Sequence, residues 1–188
     1  MFKAKLSEEA INFLCKKIGK KLVSVELGES EAKFSRSYGN IRINFEENAI
    51  DLSNLEKPTP FLGKLDDISG FSAKIEDRNK PFVPYLNEKT HTIEINEKIT
   101  SITVVNDNIT INNGKWRIEF DEAIIIKTEE NVYMISRDWQ YSEIIQFSGH
   151  GNYDKIYPIN SVIENQSNFG EFSVDVQRTG RDVTQCNQ

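Results

Sequence analysis

Residues 121–147 read DEAIIIKTEENVYMISRDWQYSEIIQF, and this stretch decides the fold class. The run Ala123-Ile124-Ile125-Ile126 is rich in β-branched side chains, and Val132-Tyr133-Met134-Ile135 answers it across a polar turn. Such residues suit a pleated, half-buried surface. The stretch is therefore a strand, a tight turn, a second strand, a corner of aromatic and charged residues, and a third strand at Ile144-Ile145. Arg137, Asp138, Trp139, Tyr141 and Glu143 crowd the corner.

The same grammar extends upstream to residue 90. Ile93 and Ile95 alternate with Glu94 and Asn96, and Ile102 and Val104 flank Thr103. Asn106-Asp107-Asn108 is read as a turn into Ile109-Thr110-Ile111. Asn112-Asn113-Gly114 is a stronger hairpin signal, because Asn and Gly accept the positive φ that tight turns need. Trp116, Ile118 and Phe120 then face one way, with Lys115, Arg117 and Glu119 opposite. Downstream, Phe172, Val174 and Val176 make a last strand, and residues 179–188 read as a polar tail. Short strands joined by turns predict antiparallel pairing.

Residues 57–89 break the pattern. Four of the five prolines lie here, Pro58, Pro60, Pro81 and Pro84. Proline lacks a backbone donor and disfavours central strands. Phe61, Leu65, Phe71 and Phe82 are too apolar for a free linker, so the segment reads as an irregular, packed connection with a short helix at 62–69. Residues 1–56 read as a helix followed by an antiparallel meander. Ser7 can cap the helix, Glu8 and Glu9 suit its positive end, and Ala10, Ile11, Leu14 and Ile18 form one apolar face. The expected fold is α+β: one domain over 1–178, mostly antiparallel β-sheet in a sandwich or partial barrel, with the N-terminal helix packed on it.

Charge narrows the functions. The net charge is −6. Residues 1–56 hold nine acids and nine bases, residues 57–89 five and six, and residues 90–188 fifteen and eight. An acidic half disfavours nucleic acid, which needs a basic face. It favours steered association with a basic protein. No signal peptide is evident at the N-terminus, and no run approaches the roughly 18 apolar residues of a membrane span. Cys15 on a helix and Cys186 in a polar tail are not expected to bridge, which fits a reducing, cytoplasmic setting.

Motifs for chemistry are absent. No Cys/His/Asp set has zinc spacing, and no segment matches a calcium loop, a phosphate cradle or a nucleophile elbow. No metal, no cofactor and no catalytic residue is therefore expected. Asp121-Glu122 and Glu129-Glu130 fall at predicted turns, where solvated acid is the default. His91 sits at a strand start, and His150 lies in a Gly149-His150-Gly151 loop ahead of Tyr153 and Asp154. Trp, Tyr and Arg clustered on a rigid element dominate interface energies. The candidate partner-binding residues are thus Asp138, Trp139, Tyr141, Glu143, His150 and Tyr153.

The apolar hairpin, the corner Ser136-Arg137-Asp138-Trp139-Gln140-Tyr141-Ser142-Glu143 and the apolar strand after it resemble small acidic β-rich bacterial proteins. These accompany polymorphic or contact-dependent toxins as immunity proteins. The resemblance covers this stretch only, and it implies inhibition of a cognate toxin domain without catalysis. Two other classes remain open. One is a small-ligand binder or enzyme with a site at the sheet mouth, near Tyr85, Trp116, Tyr133 or His150. The other is a structural component of a larger assembly.

Overall fold

A computed structural model describes residues 1–61, 63–167 and 172–184. In chain order the elements are β1 (Phe2–Ala4), α1 (Glu8–Cys15), β2 (Lys21–Gly28), α2 (Glu29–Ala32), β3 (Arg36–Tyr38), β4 (Asn40–Phe45), β5 (Asn48–Phe61) and β6 (Lys64–Asp77). They continue with β7 (Thr90–Ile111), β8 (Trp116–Thr128), β9 (Val132–Arg137), β10 (Ile144–Ser148), α3 (Tyr153–Ile156), α4 (Ile159–Ser167) and β11 (Val174–Asp182). The chain is mostly antiparallel β-sheet with few helices. The strand order is β3-β10-β9-β8-β7-β2-β4-β5-β6, with β1 paired to β8 and β11 to β7. The pairing of β1 with β8 is parallel, and the rest is antiparallel.

β7 is the spine, 22 residues long. Its first part, up to Lys98, pairs with β2. From Ile99 onward it pairs with β8, and from Thr103 to Ile111 β11 occupies its other edge. One strand therefore serves both halves of the sheet. The turn from β7 to β8 holds Asn112, Asn113 and Gly114 at φ of 52°, 54° and 92°. Those values are the left-handed conformations that Asn and Gly tolerate best.

The main core gathers apolar residues from both halves. Leu22, Val25, Ile43, Ile50 and Leu52 meet Ile102, Ile124, Ile126, Ile135 and Ile145. Helix α1 adds Ala10, Phe13, Leu14 and Cys15 to the same cluster. Ser7 caps it by accepting from the Ala10 N–H at 3.2 Å, with Glu8 and Glu9 in its first turn. A second cluster, with Ile109, Ile118, Phe120 and Val176, underlies α4.

Four expectations are corrected. Residues 57–77 are not an irregular connection with a helix at 62–69: β5 and β6 form a long hairpin, paired from Asn48↔Asp77 to Phe61↔Lys64. Leu62 lies outside the described residues. Pro58 and Pro60 are accommodated because β4 pairs with β5 only as far as Ser53, so no strand lies along that edge beyond it. Asn106-Asp107-Asn108 is not a turn but strand interior, with Asp107 fully buried. The last strand does not end at Arg178: β11 runs to Asp182, and Val183 is buried in the main core. Of the predicted tail, residues 185–188 lie outside the described residues. Finally, Cys15 is disulfide-bonded. The only other cysteine in the sequence is Cys186, outside the described residues. The expectation of an unbridged Cys15 therefore fails, and it no longer supports a reducing compartment.

Candidate functional site

The corner 138–143 is where β9 hands over to β10, and it is tied down from two sides. Its backbone is bonded to β5 and β6: the Ser69 N–H donates to the Gln140 carbonyl at 2.8 Å and the Ser69 hydroxyl to the Trp139 carbonyl at 3.1 Å. Asn54 Nδ2 donates to the Ser142 carbonyl at 2.7 Å. The Glu143 carboxylate accepts the Glu56 N–H at 3.1 Å, and the Tyr141 hydroxyl donates to Asp66 at 3.3 Å. Trp139 and Tyr141 pack with ring centroids 5.6 Å apart. The corner is half-buried and ordered by its neighbours, so it is a rigid element rather than a loose loop.

Behind it lies a buried charge network that begins with an irregularity in β8. Ala123 pairs with Val105 and Asp121 with Asn106, which leaves Glu122 as an additional residue between them. Such a bulge re-aims side chains. Asp121 and Glu122 consequently both point inward, and neither lies in a solvated turn as the sequence suggested: they are 1% and 8% exposed. Asp121 accepts the Leu6 N–H at 2.8 Å and Asn106 Nδ2 at 3.1 Å. Ala123 pairs with Ser136, so the next residue of β9, Arg137, comes opposite Glu122.

Arg137 is 1% exposed. Its guanidinium stacks 4.1 Å over the Phe120 ring, and its Nε lies 3.3 Å from Glu122 Oε2. That approach is an ion pair without hydrogen-bond alignment, because Nε and Nη1 are both buried with no hydrogen-bond acceptor. Glu122 in turn has the Tyr153 hydroxyl 3.5 Å away. Burial pushes the Glu122 carboxyl above its ordinary range, and the nearby Arg137 charge opposes that shift only in part.

The adjoining pair is better satisfied. Arg178 of β11 grips Asp107 of β7 with two bonds of 2.7 and 2.6 Å. It also donates to Asp154 at 2.8 Å and to the Tyr157 carbonyl at 2.6 Å, and it stacks on Tyr153 at 4.5 Å. These contacts fix α3 against the sheet. The Tyr157 hydroxyl donates to Asp138 Oδ1 at 2.6 Å, and Gln146 Nε2 donates to the same oxygen at 2.8 Å. Burial raises the Tyr153 and Tyr157 phenols well above their usual range, and neighbouring carboxylates add to it.

Between these groups is a cavity of about 30 Å³. Its walls include Phe120, Glu122, Arg137, Trp139, Tyr153 and Tyr157. Gln140 and Gln166, buried and bonded amide to amide at 2.6 and 3.3 Å, also line it.

Of the six predicted partner-binding residues, the structure brings Asp138, Trp139 and Tyr153 together on this cavity. Tyr141 and Glu143 turn toward β5 and β6 instead. Tyr153 is 5% exposed and offers a partner almost no surface in this conformation. His150 is exposed and lines a separate open groove of about 760 Å³ with Glu129, Glu130, Lys127 and Lys155. Glu122, Asp107, Arg178 and Tyr157 were missed by sequence reasoning. A usable signal existed for Glu122: no Gly, Pro or Asn interrupts the run from Trp116 to Thr128, so its acids sit in a continuous strand. Among the described residues no cluster of three His, Cys, Asp or Glu is placed to hold a metal, and no helix is long and apolar enough to cross a membrane. Comparison with protein-family models, curated proteins and solved structures finds no match.

Proposed function

We propose that this chain is a protein-binding protein, most concretely an immunity protein that inhibits a cognate basic toxin domain by occlusion. The observation that carries this reading is where the acid sits. In residues 90–188, Asp107, Asp121 and Glu122 are buried, together with Arg137 and the side chain of Arg178. Among the described residues of that half, eleven acids and six bases remain, every one half-buried or exposed. The acidic excess is thus a property of the surface and not of internal ion pairs. A surface of one sign accelerates encounter with a partner of the other.

The contact surface in this reading spans the rigid corner and, at the opposite end of β9, the acidic β8–β9 turn with the groove that holds His150. Trp139 and Tyr141 supply half-buried aromatic anchors, with Asp138 and Glu143 on the same corner, and His150 contributes from the separate open groove. Glu129 and Glu130, exposed on the β8–β9 turn, steer. Recovery of binding partners from the native host at low salt tests the idea. A basic protein whose association rate falls as salt rises is expected. Recovery of no basic partner would sink it. Cytoplasmic residence belongs to the same proposal, and the Cys15 disulfide weighs against it. Alkylation of the protein within intact cells decides: trapped Cys15 thiol supports the cytoplasm, and protected Cys15 excludes it.

A further inference from the structure

We propose that the cavity behind the corner is a binding site for a small monocarboxylate of formate or acetate size, held by the Arg137 guanidinium. This does not depend on the protein-binding reading. Arg137 lines the cavity, is 1% exposed, and has Nε and Nη1 buried without hydrogen-bond acceptors. A buried donor left unmet is costly, and for a charged group more so. Arg42, the other fully buried arginine, is satisfied by two bonds to Asp51 and one to the Lys80 carbonyl, whereas Arg36, whose Nε is also buried and unmet, is a third exposed and pairs with Glu31. A planar carboxylate matches a guanidinium fork.

Size and walls limit the ligand. A water requires about 10–15 Å³ of such space, so about 30 Å³ admits two waters or a group of three or four heavy atoms. Ile109, Phe120 and Val162 on the lining suit a methyl group better than a second charge. A dicarboxylate or an aromatic acid exceeds the space.

Charge balance then sets a condition. An incoming anion meets Glu122 on β8 and Asp138 beyond β9, with Asp107 on β7 behind them. Arg137 on β9 and Arg178 on β11 are the cations facing Glu122, and Tyr153 and Tyr157 face it from α3 and the residue after it. Arg178 is already committed to Asp107 and Asp154. Arg137 alone cannot neutralise both Glu122 and a ligand. Binding therefore takes up one proton, which goes to Glu122, whose burial already favours the neutral acid. The ligand then holds Arg137 in its place, and no covalent bond changes.

Trp139 lines the cavity and reports on it, while Trp116 lies in a different one. The test uses the full chain carrying Trp116→Phe, titrated with sodium formate and sodium acetate against sodium chloride at matched ionic strength, at pH 5.5 and 7.5. Saturable Trp139 fluorescence changes with formate and acetate, and none with benzoate, are expected. Apparent affinity should weaken as pH rises, by up to tenfold per unit for one coupled proton. Glu122→Gln should keep the binding and lose its pH dependence. Arg137→Lys should abolish it. If Arg137→Lys does not fold, the Glu122→Gln result still decides. Equal responses to chloride and acetate in both the parent and Glu122→Gln mean that the cavity holds water only, and overturn the proposal. PH dependence that persists in Glu122→Gln overturns the proton-coupled form.

Discussion

Arg42 and Arg137 are the two largest side chains that the fold buries completely, and they are treated differently. Arg42 on β4 sits directly across from Asp51 on β5, with bonds of 2.6 and 2.9 Å to the two carboxylate oxygens and a third to the Lys80 carbonyl. Its ring partner is Phe82, at 5.4 Å. Arg137 also has a cross-strand carboxylate and a ring, but its carboxylate comes from a bulge and meets it off line at 3.3 Å. Regular register therefore produces a saturated pair, and a bulge produces one with donors to spare. The first is what a structural pair needs. The second is what a site needs, because only unmet donors have anything left for a ligand.

Breaking the saturated pair should have the largest effect. Asp51→Ala leaves Arg42 buried with one carbonyl acceptor and only the Glu26 carboxylate, 4.0 Å from its Nε, to balance its charge, and a loss of about 3 kcal/mol in chemical denaturation is expected. A loss below about 1 kcal/mol would mean that Arg42 escapes to water. Trp139→Ala removes a half-buried wall of the cavity while the corner's backbone bonds to Ser69 persist. A loss of about 1–3 kcal/mol follows from partial burial. If partner binding disappears at unchanged stability instead, Trp139 is an interface anchor.

Glu122→Gln separates the two regions by pH. The Glu122 carboxyl is raised, so the folded state holds its proton to higher pH than the unfolded chain does. Stability from this group is full below the ordinary carboxylate range and falls as pH rises through the raised value, at no more than about 1.4 kcal/mol per unit. The variant should lack that slope. Glu97 gives the opposite and smallest effect. Burial raises its carboxyl, but donors from Thr128, Tyr133 and Asn131 together outweigh it and the net shift is downward. Its contribution is present above the ordinary range and is lost as pH falls. Glu97→Gln should flatten the acid limb of the stability profile only. Its partner phenol, Tyr133, is pushed up to about 12, chiefly by burial and then by Glu97. Tyr141, Tyr153 and Tyr157 are raised as well, so a spectrophotometric titration should show several late tyrosines, of which one moves earlier in the variant.

Strand character within residues 90–148 was legible because the alternation is local, but the continuity of β7 through 106–108 and of β8 through 121–122 was not. The hairpin 121–147 and its corner lie where the pattern places them, as do the Asn112-Asn113-Gly114 turn and the Ser7 cap. The long β5–β6 hairpin was not legible, because Pro58 and Pro60 argue against a central strand and nothing local says that the edge beside them lacks a strand. Asp107 looked like turn chemistry between two asparagines. Its partner Arg178 lies 71 residues away, and only tertiary pairing makes a buried carboxylate tolerable there. The candidate site was half legible. Composition marked the corner, but the bulge that turns Glu122 inward depends on the register between β7 and β8. The tyrosines above it depend on α3, a helix of four residues that leaves little periodic trace.

The length of β7 bears on how the chain reaches its native state. Its edges are completed by β2 from early in the sequence and by β11 from the end, while β1 closes against β8 more than a hundred residues later. Nearly every ladder beyond the hairpins therefore closes a large loop. Folding dominated by such distant pairing is slow, on the order of milliseconds to seconds. On the ribosome, the edge of β7 that faces β11 stays unzipped until Arg178 and its neighbours have emerged. Until then Asp107 waits without its cation, and a stalled or truncated chain exposes a long unpaired strand edge, the feature most prone to pairing with another copy of itself.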